Sequence, residues 1–128
     1  MTKSSARIVD MHPDEVSALL DARQIILIDV REPTEYAAER IHGALLYPLS
    51  TFDPQALPDV RTHRVVLHCG SGKRSAAAAL KCIDAGAHEF AHISGGIAAW
   101  KAAGLPVIRV DPATGRLMDK PPHVAASR

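Results

Sequence analysis

Only two cysteines occur in the chain, Cys69 and Cys82, and they do not form a Cys-x-x-Cys pair. Two are too few for a disulfide framework, and a reduced compartment fits both. An excess of one sign of charge is also missing: 15 Lys plus Arg stand against 14 Asp plus Glu, leaving a formal net charge of +1. No global field argues for a nucleic-acid or membrane partner, so any positive potential has to be local. Long apolar runs are absent as well. Nothing approaches the length of a membrane span, and residues 1–7 lack the apolar core of a signal peptide, so a cytoplasmic protein is expected. His88 and His92 stand four apart, but in a strand-like stretch that spacing separates them along one face, and it does not make the helical metal pair. No metal site and no cofactor are expected.

What is present is one domain's worth of chain, 128 residues, 47% hydrophobic and 23% charged. Its central stretch is His68-Cys69-Gly70-Ser71-Gly72-Lys73-Arg74-Ser75, preceded by Val65-Val66-Leu67 and followed by four alanines and Leu80. In order this reads as strand, tight loop and helix. Gly70 and Gly72 let consecutive amides turn inward around the Cys69 sulfur, and Lys73 and Arg74 add positive charge. Ser75 is placed to cap the helix. Such a setting lowers a thiol pKa and favours thiolate chemistry. The competing reading of Cys69 as a small buried hydrophobe fits poorly with a lining of Gly, Ser, Lys and Arg. A phosphate-binding P-loop fails on spacing: its first glycine would fall at Leu67, and Arg74 stands where Ser or Thr is needed.

The rest of the chain alternates between strand and helix signals. Ile8-Val9 suggests a first strand, and Pro13-Asp14-Glu15 a helix start with Val16, Leu19 and Leu20 facing inward. Ile25 to Ile28 is apolar without alternation, as in a parallel strand covered on both sides. Asp29, Arg31 and Glu35 then gather where that strand gives way to a short helix capped by Thr34. This is the sheet edge where ligands bind in open parallel sheets, although a solvated loop would look the same. Ile41 to Pro48 reads as a turn into a third strand, whose His42 either faces the active loop or satisfies a backbone carbonyl. Residues 49–62 predict turns with one short helix near Phe52 to Leu57. Arg64 to His68 is the fourth strand, and a helix from Ser75 to Ala85 is closed by Gly86. Cys82 lies two turns into it, beyond the field that activates a cysteine, and is read as structural. Glu89 to Ile93 is a fifth strand, followed by a helix from Ile97 to Ala103 that carries Trp100 as a core anchor. Residues 108–128 form a tail, either a hairpin or a loose arm.

Four stretches together resemble the rhodanese family of sulfurtransferases: Asp29-Val30-Arg31-Glu32, Ile41-His42-Gly43-Ala44, Cys69 to Ser75, and Gly95-Gly96-Ile97-Ala98-Ala99-Trp100. The likeness covers residues 7 to 107 and implies a single domain, 1–107, with a central parallel sheet of about five strands flanked by helices on both faces. It also implies a sulfurtransferase in which Cys69 takes sulfane sulfur from thiosulfate or a related donor and becomes a persulfide. The outer sulfur then passes to cyanide, a low-molecular-weight thiol or a protein thiol. Gly70, Ser71, Gly72, Lys73, Arg74 and Ser75 would bind the donor and hold the persulfide, with Asp29, Arg31, Glu35 and His42 in support. Phosphatases and arsenate reductases of the same fold place one more residue between the cysteine and the arginine. Here Cys69 and Arg74 are separated by four residues, a tighter ring that suits sulfur better than phosphate. A non-catalytic persulfide carrier or interaction module is the alternative from another class.

Overall fold

The computed structural model of the chain describes residues 6–59 and 62–120. The elements run β1 (Arg7–Met11), α1 (Pro13–Asp21), β2 (Ile25–Asp29), α2 (Pro33–Ala38), β3 (Glu39–Arg40) and β4 (Leu45–Leu46), followed by two 3-10 turns, Leu49–Thr51 and Pro54–Ala56. After these come β5 (Arg64–His68), α3 (Lys73–Asp84), β6 (Glu89–Ile93), α4 (Gly96–Ala102), β7 (Val107–Val110) and β8 (Leu117–Lys120). Five strands form a sheet in the order β1-β6-β5-β2-β4, and every neighbouring pair is parallel.

The unbroken apolar strands are explained by the two cores they separate. In β2, Ile25 and Leu27 pack into a cluster with Val16 of α1 and Ile97 and Trp100 of α4. Ile26 and Ile28 face a second cluster with Ala78, Ala79 and Cys82 of α3 and Phe52 from the turn region. Successive strand side chains point to opposite faces, so a strand covered on both faces has no position for a polar residue until it ends. Both β2 and β5 therefore keep apolar interiors and end on buried polar residues, Asp29 and His68, side by side in register at the C-terminal edge. The Trp100 indole N–H donates to the Pro106 carbonyl at 2.8 Å, which lets its ring stay buried.

Several local expectations shift. α2 begins at Pro33, with Glu32 as the N-cap residue and a reciprocal capping box with Glu35, so Thr34 lies inside the helix. α3 begins two residues before Ser75, because Gly72, at φ +105°, makes the left-handed turn into the helix. The third main-sheet strand shrinks to Leu45–Leu46, and 3-10 turns replace the expected helix near Phe52. The segment expected as a hairpin or a loose arm contributes to a second small antiparallel sheet, β3-β7-β8, and the pairing of β3 with β7 had no counterpart in the sequence. In it Val107 to Val110 pair back on Leu117 to Lys120 around a turn closed by Asp111 and Arg116. Residues 1–5 and the proline-bearing end of the tail, 121–128, lie outside the described residues. No helix among the described residues is long and apolar enough to cross a membrane.

Candidate active site

β5 delivers Cys69 to the C-terminal edge of the sheet, where its side chain is fully buried. The chain then turns through Gly70, Ser71 and Gly72 into α3. The Gly72 N–H donates to the Cys69 Sγ at 3.1 Å. The amides of Ser71 and Ser75 and the Ser75 hydroxyl also face this sulfur. Burial pushes the Cys69 thiol up, but these four donors together outweigh it, and the thiol ends below its ordinary value.

The inward turn of the amides is enforced from outside the loop. The carbonyls of Cys69 and Gly70 accept from the N–H groups of Ile97 (2.8 Å) and Ala98 (3.1 Å) in the first turn of α4. Those amides lack partners within their own helix, and here they grip the loop by its oxygens, which leaves the loop N–H groups pointing to the sulfur. Gly96 makes the approach feasible. A Cβ on it would lie 2.4 Å from the Cys69 carbonyl oxygen and 2.7 Å from that of Gly70.

The charged residues form two separate pairs. Asp29, fully buried, accepts three side-chain hydrogen bonds from Arg31 at 2.8 to 3.1 Å, plus the Arg31 amide at 2.9 Å. Arg31 also donates to the Glu39 carbonyl, so the pair braces β2 against β3. His68 lies 3.6 Å from the same carboxylate. Burial pushes its imidazole below the ordinary value, with Asp29 opposing, so it is neutral near physiological pH. Glu35 instead crosses to the loop and holds Arg74 by two bonds, 2.7 and 3.0 Å. The Arg74 hydrogen bond is the largest influence on its carboxyl, which falls from 4.5 to about 2.

The loop carries Cys69 to Ser75 from β5 into α3, and Glu35 joins it through Arg74. Asp29 and Arg31 satisfy each other beneath the loop. His42 is exposed on the turn before β4, next to Gly43, which lies beside Leu20 of α1, and it makes no hydrogen bond among the described residues. The structure does not bring it to the sulfur. Ser71 and Lys73 are exposed, and Lys73 has no ion-pair partner among the described residues. Cys82 is buried on α3, and burial pushes its thiol up to about 12.

Three contributors were missed. Gly96 stands in a Gly-Gly pair before a helix, which is the signal for close backbone approach. His92 and Asp10 are joined at 2.7 Å, and His92 reaches Ser75 at 2.7 Å. Their positions at equal register on neighbouring strands carry no local signal. No group of three metal-ligating side chains gathers among the described residues.

The rhodanese-like domain model matches residues 12–103. The chain belongs to the rhodanese-like domain family. It is 35% identical over 127 residues to an uncharacterised protein of Synechocystis sp., a match covering 99% of this chain and 71% of that one. To a protein of Allochromatium vinosum named sulfurtransferase it is 32% identical over 90 residues, covering 70% and 84% respectively. The rhodanese fold is also seen in a thiosulfate sulfurtransferase from Pseudomonas aeruginosa, which superposes with a TM-score of 0.69 at 28% identity over 78% of this chain and 20% of that one. Some relatives are much longer. The chain spans 29% of the tRNA uridine(34) hydroxylase of Pectobacterium atrosepticum, to which it is 31% identical over 104 residues.

Proposed function

We propose that this rhodanese-like domain is a sulfurtransferase that moves sulfane sulfur through a Cys69 persulfide. The observation that carries the reading is the Gly72 amide on the buried Cys69 sulfur at 3.1 Å, within a ring of donors that leaves the thiol below its ordinary value. Preorganised N–H groups of this kind stabilise an anion without reorganising during the reaction. With thiosulfate as donor, the Cys69 thiolate attacks the outer sulfur. A new S–S bond forms, the donor's own S–S bond breaks, and sulfite leaves with the electron pair. The loop amides of Gly70 to Ser75 then hold the anionic terminal sulfur of the persulfide. In the second half-reaction cyanide, a small thiol or a protein thiol attacks that terminal sulfur, and Cys69 departs as thiolate.

Lys73, the exposed cation of the loop, attracts the anionic donor, and Arg74 shapes the rim with Glu35. The reaction needs Cys69 reduced, which fits a cytoplasmic setting. Incubation with thiosulfate is expected to add one sulfur atom to the intact protein by mass, at Cys69, and cyanide to remove it as thiocyanate. Cys69→Ser should abolish both. Unchanged turnover in that variant would overturn the reading, as would hydrolysis of an aryl phosphate faster than sulfur transfer.

A further inference from the structure

The Cys69 side chain is buried, with the Gly72 amide on its sulfur. One continuous line of polar groups leads away from it. The Ser75 hydroxyl faces the sulfur, and its oxygen lies 2.7 Å from the His92 Nδ1. His92 Nε2 in turn lies 2.7 Å from the Asp10 Oδ1. Ser75 is fully buried and the His92 side chain is 6% exposed, whereas that of Asp10 is 69% exposed. The line runs from the buried Cys69 side chain to the solvent-exposed Asp10.

We propose that Ser75, His92 and Asp10 form a proton relay that activates Cys69. The proposal rests on the reading of Cys69 as the sulfur-transferring nucleophile. Its chemistry follows from the number of protons available. The Asp10 carboxylate, as an acceptor, fixes the His92 proton on Nε2 and leaves Nδ1 with a lone pair toward Ser75. Ser75 has a single hydroxyl proton and three acceptors in reach: His92 Nδ1, the sulfur and the Gly72 carbonyl at 3.3 Å. With His92 neutral, that proton points to Nδ1 and the oxygen presents a lone pair to the thiol.

Activation then moves two protons one step each. The Cys69 S–H bond breaks as its proton passes to the Ser75 oxygen, and the Ser75 O–H bond breaks as its own proton passes to His92 Nδ1. The sulfur keeps the electron pair, Ser75 is regenerated, and His92 becomes an imidazolium facing Asp10. Ser75 now accepts from Nδ1–H and turns its proton to the thiolate. In the reverse direction the relay returns a proton to the sulfur once it has been released. Thiosulfate-to-cyanide turnover releases no proton, so the relay acts there on the resting thiol. A thiol acceptor brings a proton of its own, and the relay carries it away.

The surroundings of His92 leave few other partners. β1 contributes Asp10 at the same register, α3 contributes Ser75, and β5 contributes the apolar Leu67. Gly72 also passes close to the ring: a Cβ there would lie 3.9 Å from Cε1. Beyond Ser75, Arg74 interacts electrostatically with Cys69 and is already paired with Glu35.

The test is the rate of Cys69 alkylation by iodoacetamide against pH in the full chain, for wild type, His92→Leu and Asp10→Asn, each checked for folding by thermal melting. Both variants keep the Ser75 hydroxyl, so a role for Ser75 as a mere hydrogen-bond donor predicts an unchanged or lower midpoint. The relay predicts a midpoint raised by about one pH unit in His92→Leu, seen as about tenfold slower alkylation below it, with wild-type rates recovered well above it. Asp10→Asn should shift the midpoint in the same direction by less. Equal midpoints in wild type and folded variants would overturn the relay, and if His92→Leu fails to fold, the exposed Asp10 variant decides alone. Alkylation needs no sulfur donor. A wild-type protein that takes up no sulfur would therefore sink the sulfurtransferase reading while leaving the relay to its own titration.

Discussion

Arg74 in the first turn of α3 and Glu35 in α2, 39 positions apart, meet in a two-pronged ion pair at 2.7 and 3.0 Å. The guanidinium lies over Gly70, where a Cβ would come within 3.1 Å of its Nη2. The expected loop cation is therefore paired with a carboxylate, and its main effect is to fix the rim. Both side chains are 38% exposed, so solvent screening limits the pair to about 1 kcal/mol. The Glu35 carboxyl is lowered from 4.5 to about 2, chiefly by Arg74. A carboxyl whose folded pKa lies below its unfolded one stabilises the fold above the unfolded value, and that contribution is lost as pH falls toward the folded value. Glu35→Gln should therefore be less stable than wild type at neutral pH, with the gap closing between about pH 4.5 and 2 in urea melts. A gap that stays constant across this range would mean the pair does not contribute.

With Arg74 engaged, the free positive charge of the loop belongs to Lys73. Lys73→Ala is expected to raise the KM for thiosulfate about threefold at low salt and to leave the rate at saturating donor almost unchanged. A steering effect of an exposed charge weakens once the Debye length falls to about 3 Å near 1 M salt. The two proteins should then converge. Initial rates across a salt series check this, and a difference independent of salt would assign Lys73 a direct contact instead.

The strands that build the site were readable because burial on both faces leaves an unbroken apolar run, as in Ile25 to Ile28 and Val65 to Leu67. The loop was readable because Cys, two Gly and two cations fall between a strand and a helix. What failed was whatever depends on distant partners. Ser75 has the chemistry of a helix cap, but His92 and the sulfur claim its hydroxyl and Gly72 turns the chain instead. Thr34 lost the capping role to Glu32 because Glu35 completes a box with it. Glu35 was placed at the right sheet edge without its partner. The two-residue β3 exists only because β7 returns to it from far along the chain.

Cys82 shares the α3 helix with the loop yet belongs wholly to the core. Its thiol, pushed up to about 12 by burial, has almost no thiolate near neutral pH. Brief alkylation of the native protein should modify Cys69 alone, and Cys82→Ala should load sulfur at the wild-type rate. Its cost should be to stability, about 1 kcal/mol for a small buried side chain removed from a packed cluster. A loss of loading without loss of stability would give Cys82 a place in the chemistry.

Gly96 offers a test of whether α4 holds the loop in its active shape. Gly96 and Gly115 both have positive φ, +63° and +73°, but a Cβ on Gly115 meets nothing within 4 Å, whereas one on Gly96 runs into the Cys69 and Gly70 carbonyls. Gly115→Ala therefore measures the backbone penalty alone, about 1–2 kcal/mol for a side chain in the left-handed region. Gly96→Ala adds a clash with backbone that cannot swing aside, so the loop carbonyls must leave the Ile97 and Ala98 amides. The inward ring of N–H groups should open with them. The expected outcome is a larger fall in melting temperature than in Gly115→Ala, together with a Cys69 alkylation midpoint raised toward the free thiol value of about 8.5. A Gly96→Ala protein that melts lower but keeps the wild-type midpoint would show that the loop holds its donors on the sulfur without α4.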